Sequence, residues 1–320
     1  MPLLNHATAV HDMRIQGDGG GQLAFSAWQQ CVDELAWIAD AGALDRVLGE
    51  ALRFAPNVTV IPALVPAQIG RIAPLVAVCE GKWSATRASL GAGFTRHDYG
   101  HSAIGARLTA SRPHLGAARQ WFRSPDVLAL LPFNDPEPHR SYGLVWSMPT
   151  ERAKRLAALS PEAFVQALTE ALLESAPQAP SDVGDLSLAS SVQSWPLALG
   201  QADPWCGRGW VLLGDAAHQV HPLAGQGLNL GLADVDKLVE VLGQSREREP
   251  WRSIGDERML RRYARDRWLA TRAMAGLTDT LVHLFASQHG VARELRNRGM
   301  GLLNHVAPIK RWLVGQALDA

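Results

Sequence analysis

The stretch that decides the fold runs from residue 209 to residue 234, GWVLLGDAAHQVHPLAGQGLNLGLAD. Its first five residues, 209–213, form a short apolar run that predicts a strand covered on both faces. Apolar residues then recur at helical spacing over residues 228–242, which predicts a helix. The polar segment between strand and helix is therefore predicted to be a binding turn at a strand end.

The residues of this turn favour an electron-rich ligand. The carboxylate of Asp215 can accept hydrogen bonds from hydroxyl groups, and Gly225 and Gly227 let a ligand approach the main chain closely. A helix that begins there directs free N–H groups and the positive end of its dipole towards the ligand. We expect an anion or a polarised carbonyl at this position.

Residues 214–234 closely resemble the second flavin motif of the flavin-dependent aromatic-ring monooxygenases, and within them of the ubiquinone-biosynthesis hydroxylases. The resemblance includes the sequence HPLAGQG at 221–227. It implies that Asp215 binds the ribityl chain of FAD and that residues 222–229 lie along the isoalloxazine ring, with main-chain N–H groups facing its pyrimidine end. The cofactor-binding residues implied here are Gly214, Asp215, Pro222, Gly225, Gln226, Gly227, Leu228 and Asn229.

A second segment, CEGKWSATR at 79–87, is similar to the middle motif of the same family. That motif usually begins Ala-Asp-Gly, so Glu80 stands where aspartate is usual. The resemblance makes Gly81, Ser84 and Arg87 candidates for binding the flavin. It also implies that this segment is associated with the nicotinamide donor. A plain strand-to-helix turn after a predicted strand at 75–79 accounts for each of them almost equally well.

A glycine cluster near the start raises the question of a dinucleotide fingerprint, because Gly19, Gly21 and Ala24 fit G-x-G-x-x-A. Alternating residues continue on both sides, however, so a β-hairpin over residues 11–26 is the better interpretation.

The other predicted elements are a helix at 32–54, strands at 57–61, 99–114, 118–133, 142–148 and 190–199, a helix at 161–174 with Ser160 as N-cap, and helices from 256 onward.

The resemblance implies an α/β fold: an FAD/NAD(P)-binding, Rossmann-like domain interleaved with a mostly antiparallel substrate-binding sheet and followed by C-terminal helices. The family's opening strand, G-x-G-x-x-G turn and helix are not recognised before Val10, so we expect the FAD domain to be N-terminally truncated. The expected boundaries are 27–96 and 200–250 for the FAD domain, 8–26 and 97–199 for the sheet domain, and 251–320 for the helical region. The candidates for a substrate cavity, with ordinary core as the alternative, are Trp121, Phe133, Trp146 and Trp195.

The implied function is hydroxylation of a phenolic or quinol ring, using NADH or NADPH and O2 through a flavin hydroperoxide. The implied substrate is a prenylated phenol or quinol, and a ubiquinone-biosynthesis protein complex is an implied partner. The alternative is a truncated, non-catalytic relative that acts at most as an assembly or interaction subunit.

No side chain is assigned a catalytic role. Asp215, His218 and His221 are residue types that can bind a metal, and His218 could act as a general base, but no further cluster or paired nucleophile accompanies them. We expect the two histidines to shape the turn through local hydrogen bonds.

Composition restricts the partners and the compartment. The 31 basic and 31 acidic residues balance, so no net field favours nucleic acid. Three widely spaced cysteines suit reduced thiols, and together with the lack of a signal sequence they predict a cytoplasmic protein. The charged run at 258–267 is expected to be a solvated helix face, and a basic helix at 308–318 raises the hypothesis of peripheral contact with the inner membrane.

Overall fold

The computed structural model of the chain describes residues 2–17, 21–61, 73–175, 182–220 and 226–286. The described chain divides into two compact units. The first holds the residues up to Val58, those of Gly100–Pro196 and those from Val282 onward. The second holds Thr59–Tyr99 and Leu197–Leu281.

Strands and helices of the described residues are numbered here in chain order. The strands are β1 (Ala7–Val10), β2 (Asp12–Gly17), β3 (Gln22–Ser26), β4 (Ala36–Ala39), β5 (Val76–Val78), β6 (Gly93–Ala110), β7 (Ala117–Arg123), β8 (Asp126–Phe133), β9 (Ser141–Pro149), β10 (Leu186–Leu188), β11 (Gln193–Asp203), β12 (Cys206–Gly207), β13 (Trp210–Leu212) and β14 (His218–Gln219). The α-helices are α1 (Ala27–Gln30), α2 (Ala41–Phe54), α3 (Ala85–Ser89), α4 (Thr150–Ala157), α5 (Pro161–Ser175), α6 (Gln226–Arg248) and α7 (Glu257–Ala286), and 3-10 turns span Pro2–His6 and Gly214–Ala216.

The first unit is built on a large sheet in which β10, β6, β9, β8, β7, β2 and β3 are neighbours in that order. Every neighbouring pair in this series is antiparallel except β2 and β7, which run parallel. The prediction of a mostly antiparallel sheet is therefore confirmed. The predicted hairpin at its edge is also confirmed, because β2 and β3 pair antiparallel, although residues 18–20 of its turn lie outside the described residues.

Alternation along the strands builds the core of the first unit. Leu144, Trp146 and Met148 are buried at every second position of β9, as the two-residue period of a strand requires. They pack in one cluster with Phe164 and Leu168, which lie one helical turn apart on α5. The predicted N-cap of α5 is confirmed, since the Ser160 hydroxyl accepts the Ala163 N–H at 3.3 Å.

The predicted helix over residues 32–54 is wrong in its first part. Residues 36–39 form strand β4, which pairs antiparallel with β1. The helix begins only at Ala41, because the Asp40 carboxylate accepts the Ala43 N–H at 2.7 Å and so caps the helix. The capping hydrogen bond of Asp40 fixes the start of the helix, although the helical spacing of apolar residues continues on both sides of Asp40.

The second unit contains a small sheet in which β13 lies between β5 and β12. β13 pairs parallel with β5 and antiparallel with β12, so the strands predicted at 75–79 and 209–213 are confirmed. Val211 of β13 is fully buried and packs with residues of α6 and α7, including Leu238 and Leu260. The Tyr263 hydroxyl of α7 donates to the Leu212 carbonyl at 3.0 Å and ties the last helix to this strand.

The strand predicted at 57–61 is not formed. Val58, Val60 and Ile61 are exposed and have no strand conformation, because a β-branched run needs a hydrogen-bonding partner to become a strand. The compact units group residues 27–58 with the large sheet and residues 251–281 with the unit of β13. The expected domain boundaries, and which domain binds FAD and which binds substrate, stay predictions.

The aromatic residues considered for a substrate cavity lie mostly in the core of the first unit. Trp121 and Trp146 are buried in the cluster beneath α5, and Phe133 is buried on β8. Trp195 is partly exposed on β11, and its ring fills the space beside Gly105 where a Cβ atom would stand. For Trp121 and Trp146, ordinary core packing accounts for the position.

We predict that Leu168→Ala destabilises the chain by about 3 kcal/mol, because it leaves a cavity in a fully buried cluster. The control is Leu173→Ala on the same helix, where the leucine is 46% exposed and the loss should be a small fraction of that value. Urea unfolding followed by circular dichroism measures both. Equal losses for the two variants would contradict the packing described for α5.

Candidate functional site

The predicted binding turn follows directly from the end of β13. Gly214 adopts φ +56°, a left-handed conformation that favours glycine, and starts the 3-10 turn Gly214–Ala216. Ala216 and Ala217 are fully buried. Asp215, which lies between Gly214 and Ala216, is exposed. The Asp215 carboxylate forms no hydrogen bond or ion pair with the described residues. The turn therefore presents, at the carboxyl end of a buried strand, a carboxylate that no described residue binds.

Helix α6 packs directly on this turn through two glycines. A Cβ atom built at Gly231 would lie 3.5 Å from the Cα atom of Gly214, so the two main chains are in close contact. The helix begins at Gln226, and its first N–H groups have no intrahelical acceptors. Leu228 and Asn229 are exposed in the first turn, and a Cβ at Gly227 would meet no atom of the described residues within 4 Å. Within the described part of the chain, nothing covers the main chain of Gly227 near the positive end of the helix.

A buried carboxylate holds the turn and the helix together. Asp234 of α6 has no exposed surface, and its Oδ2 accepts the Gly214 N–H at 2.8 Å and lies 2.7 Å from His218 Nε2. Its Oδ1 accepts a hydrogen bond from Arg267 Nε at 2.6 Å. Burial alone would raise the pKa of Asp234, but the hydrogen bonds and charges of His218 and Arg267 outweigh it and lower the pKa below the usual value.

His218 is itself fixed on both sides. Its ring stacks on Trp205 with centroids 5.1 Å apart and planes 24° from parallel, while Asp234 lies at its edge. Only 3% of the residue is exposed. His218 therefore shapes the turn through local contacts, as predicted. His221, the other histidine of that prediction, lies outside the described residues.

The segment similar to the family's middle motif folds into a capped turn after β5. Gly81 takes φ +76°, and the Ser84 hydroxyl accepts the Arg87 N–H at 3.0 Å, which makes Ser84 the N-cap of α3. The Glu80 carboxylate accepts hydrogen bonds from the Ser84 hydroxyl at 2.7 Å and from the Thr86 N–H at 3.0 Å. The hydrogen bonds of Thr86, then of Ser84, hold the pKa of Glu80 below its ordinary value. Glutamate in place of aspartate thus serves as a second cap of this helix.

Arg87 brings the two motifs together. Its guanidinium is buried and donates from Nη1 to the Ala216 carbonyl at 3.0 Å and from Nη2 to the Lys82 carbonyl at 3.1 Å. It also lies 4.0 Å above the ring of Phe94. Burial lowers the pKa of Arg87, and none of the ion pairs in the described part of the chain involves it. Its charge is therefore met by carbonyl dipoles and an aromatic face.

The structure thus places Gly81, Ser84, Arg87, Gly214 and Asp215 within the second unit and joins both motifs through one hydrogen bond. Two of the predicted residues, Pro222 and Gly225, lie outside the described residues, and of Gln226 only the main chain is described. The sequence motif gives no role to Asp234. The prediction that Arg267 belongs to a solvated charge run is wrong, because the Arg267 side chain pairs with the buried Asp234 carboxylate and is only 11% exposed.

Comparison with known proteins agrees with this geometry. A family model described as "FAD binding domain" matches residues 71–277, which include β5, β13, both motifs and α6. The chain belongs to this FAD-binding family. The match covers more than half of the chain, so membership does not depend on either motif alone.

The relatives of the chain include proteins named for ubiquinone biosynthesis and ubiquinone hydroxylation. The chain is 31% identical over 266 residues to the ubiquinone biosynthesis monooxygenase COQ6 of Danio rerio, covering 74% of this chain and 54% of the relative. It is 32% identical over 248 residues to the ubiquinone hydroxylase UbiL of Rhodospirillum rubrum, covering 77% of this chain and 54% of the relative. The chain therefore spans about half the length of these curated relatives.

A solved structure shares the fold over nearly the whole chain. The p-nitrophenol 4-monooxygenase PnpA from Pseudomonas putida DLL-E4 superimposes with a TM-score of 0.71 at 15% identity, covering 98% of this chain and 81% of PnpA. The expected α/β fold is thereby confirmed.

Two kinds of feature are absent from the described residues: a metal-binding cluster and a membrane-spanning helix. No group of three or more His, Cys, Asp or Glu side chains there is arranged to hold a metal ion. No helix in the described ranges is long and apolar enough to cross a membrane.

We predict that Glu80→Gln removes a pH-dependent part of the stability. A carboxylate whose folded pKa is lowered contributes fully above its ordinary value of 4.5, and the contribution is lost as the pH falls through the lower folded pKa. The variant should therefore unfold at a lower temperature than the parent at pH 7, with the difference shrinking towards pH 3. Thermal unfolding from pH 3 to pH 7, with Glu247→Gln on the exposed end of α6 as control, measures this. A difference that is constant with pH would contradict the capping role.

Proposed function

We propose that the chain is an FAD-dependent monooxygenase that hydroxylates a phenolic or quinol ring. One observation carries the proposal: an exposed carboxylate, Asp215, stands at the end of a buried strand beside the first turn of α6 and has no hydrogen-bond or ion-pair partner among the described residues. Family membership supports a flavin as the ligand of this arrangement.

The chemistry of these groups fits a flavin. A ribityl chain carries hydroxyl donors, and the free Asp215 carboxylate is an acceptor that nothing in the described residues competes for. The pyrimidine end of the isoalloxazine ring is rich in acceptor atoms, and the first N–H groups of α6 are donors with the helix dipole behind them. None of the described residues would obstruct a ring that lies against the main chain of Gly227.

In this proposal the side chains bind and orient the cofactor. Asp215 would hold the ribityl hydroxyls, and the main chain of residues 226–229 would stabilise negative charge at the ring through preorganised dipoles. Arg87 would act indirectly: its guanidinium would hold the Ala216 carbonyl and so set the direction of the neighbouring Asp215. The flavin, when bound, supplies the electron transfer and oxygen activation that the side chains cannot.

The remaining assignments follow the names of the relatives. One relative is named a ubiquinone biosynthesis monooxygenase and the other a ubiquinone hydroxylase, which supports a prenylated phenol or quinol as substrate and O2 and NADH or NADPH as co-substrates. A role beside other ubiquinone-biosynthesis proteins, in the cytoplasm or at the inner membrane, belongs to the same proposal. Binding of the nicotinamide donor near Gly81, Ser84 and Arg87 is also part of it.

We predict that the purified chain binds FAD and that Asp215→Asn weakens this binding about tenfold or more, the effect of losing hydrogen bonds to a charged acceptor. Titration followed by flavin fluorescence and visible absorption measures the dissociation constants. Asp236→Asn, an exposed carboxylate on α6, is the matched control and should bind FAD as the parent does.

Equal affinities in Asp215→Asn and the parent would remove Asp215 from the cofactor site. A folded parent that stays colourless with excess FAD would contradict the flavoenzyme proposal and favour the non-catalytic assembly subunit.

We also predict that the FAD-loaded chain oxidises NADH or NADPH faster when a short-chain prenylated phenol is present, because ring hydroxylation consumes the reduced cofactor. Absorbance at the nicotinamide band and mass analysis of the phenol follow the reaction. Asp215→Asn at subsaturating FAD is expected to be slower, and Asp236→Asn unchanged. Cofactor oxidation without an added oxygen atom in the phenol would contradict hydroxylation of this substrate class.

A further inference from the structure

Arg267 differs from its charged neighbours on α7. The side chain of Arg265, two residues earlier, is 69% exposed, and Arg261 is 71% exposed. The Arg267 side chain is only 11% exposed and points at Asp234 of α6. One arginine of an otherwise solvated run is therefore turned into the protein.

Its guanidinium joins two groups on α6. Nε donates to Asp234 Oδ1 at 2.6 Å, and Nη2 donates to the Leu230 carbonyl at 3.1 Å. Leu230 and Asp234 are four residues apart and lie on the same face of the helix. A planar, forked donor can reach both at once, which a lysine ammonium on a flexible stem cannot do with the same geometry.

The other oxygen of the same carboxylate reaches the binding turn. Asp234 Oδ2 accepts the Gly214 N–H and contacts His218, so the charge that Arg267 neutralises is the charge that holds the turn. Without Arg267, a fully buried carboxylate would lose its only ion-pair partner with a permanent charge among the described residues. Removing one partner of a buried pair leaves an uncompensated charge, and the groups around it must rearrange.

Docking of α7 itself does not depend on this pair. Met259, Leu260 and Tyr263 of α7 are buried in the cluster around β13, and the Tyr263 hydroxyl binds the Leu212 carbonyl. The contacts of Arg267 are instead directed at the first turns of α6 and, through Asp234, at Gly214. Its effect is therefore expected on the local geometry of the turn more than on the attachment of the helix.

We propose that Arg267 is a positioning residue for the candidate flavin site: by neutralising Asp234 and binding the Leu230 carbonyl, it sets the main chain of Gly214 and the start of α6. The assignment of the ligand rests on the proposed function. Arg267 acts through Asp234 and Leu230, and the groups it positions are the ones that would contact FAD.

The test compares Arg267→Gln with Arg265→Gln, its exposed neighbour, in the full chain. Two quantities are measured at a temperature where circular dichroism shows every variant folded: hydrogen exchange at the Gly214 amide without FAD, and the dissociation constant for FAD. We expect Arg267→Gln to speed exchange at Gly214 and to weaken FAD binding, each about tenfold. Arg265→Gln should match the parent in both. If Arg267→Gln does not fold, Arg267→Lys, which keeps the charge but loses the fork, is measured instead and should show the same changes to a smaller extent.

The outcomes separate this inference from the proposed function. Faster exchange with unchanged FAD affinity would overturn the positioning role and leave the flavin proposal intact. Unchanged exchange would overturn the role of Arg267 at the turn. A parent chain that binds no FAD would overturn the proposed function, and the exchange at Gly214 would then decide whether Arg267 positions the turn at all. A lower melting temperature with exchange and affinity both unchanged would assign Arg267 to stability alone.

Discussion

A carboxylate without solvent contact must be met on every side by donors, and Asp234 imposes that requirement on its surroundings. Its two oxygens receive the Gly214 N–H, the edge of His218 and the guanidinium of Arg267, so a turn, a short strand and one side chain of α7 all contact the same residue of α6. Because unpaired buried charge is costly, the loss of any one of these contacts is expected to disturb the others. The exposed Asp215 owes its position to this buried neighbour, since Gly214 is the residue that precedes it.

Local signals in the sequence were enough for much of the fold. The apolar run that became β13 needed only length and composition, and the hairpin of β2 and β3 needed only alternation around glycines. Errors arose where a local pattern competed with a tertiary requirement. The apolar spacing of residues 32–54 continued across Asp40, whose capping bond starts the helix later, and the β-branched residues at 57–61 had no strand to pair with.

For the site, the sequence identified the groups that face outward, and the structure added the groups that support them. Asp215 and the glycines around it follow from the motif because their role depends on neighbours in the chain. Arg87 and the Ala216 carbonyl are 129 residues apart, and Arg267 and Asp234 are 33 apart, so no window of sequence contains either contact. A carboxylate within the apolar spacing of α6 was the one available signal for Asp234. No such signal exists for Arg267, because the sequence of α7 does not distinguish one arginine that faces the protein from several that face solvent.

The parallel pairing of β2 with β7 bears on the order in which the chain folds. The hairpin of β2 and β3 can form from residues close in sequence, but its place in the sheet depends on β7, where Asp12 meets Ala117. Closing a loop of roughly a hundred residues costs about 4 kcal/mol in chain entropy by the logarithmic rule, and antiparallel neighbours such as β7 and β8 avoid most of that cost. The β7–β9 meander is thus expected to assemble first, and the hairpin of β2 and β3 to join it late.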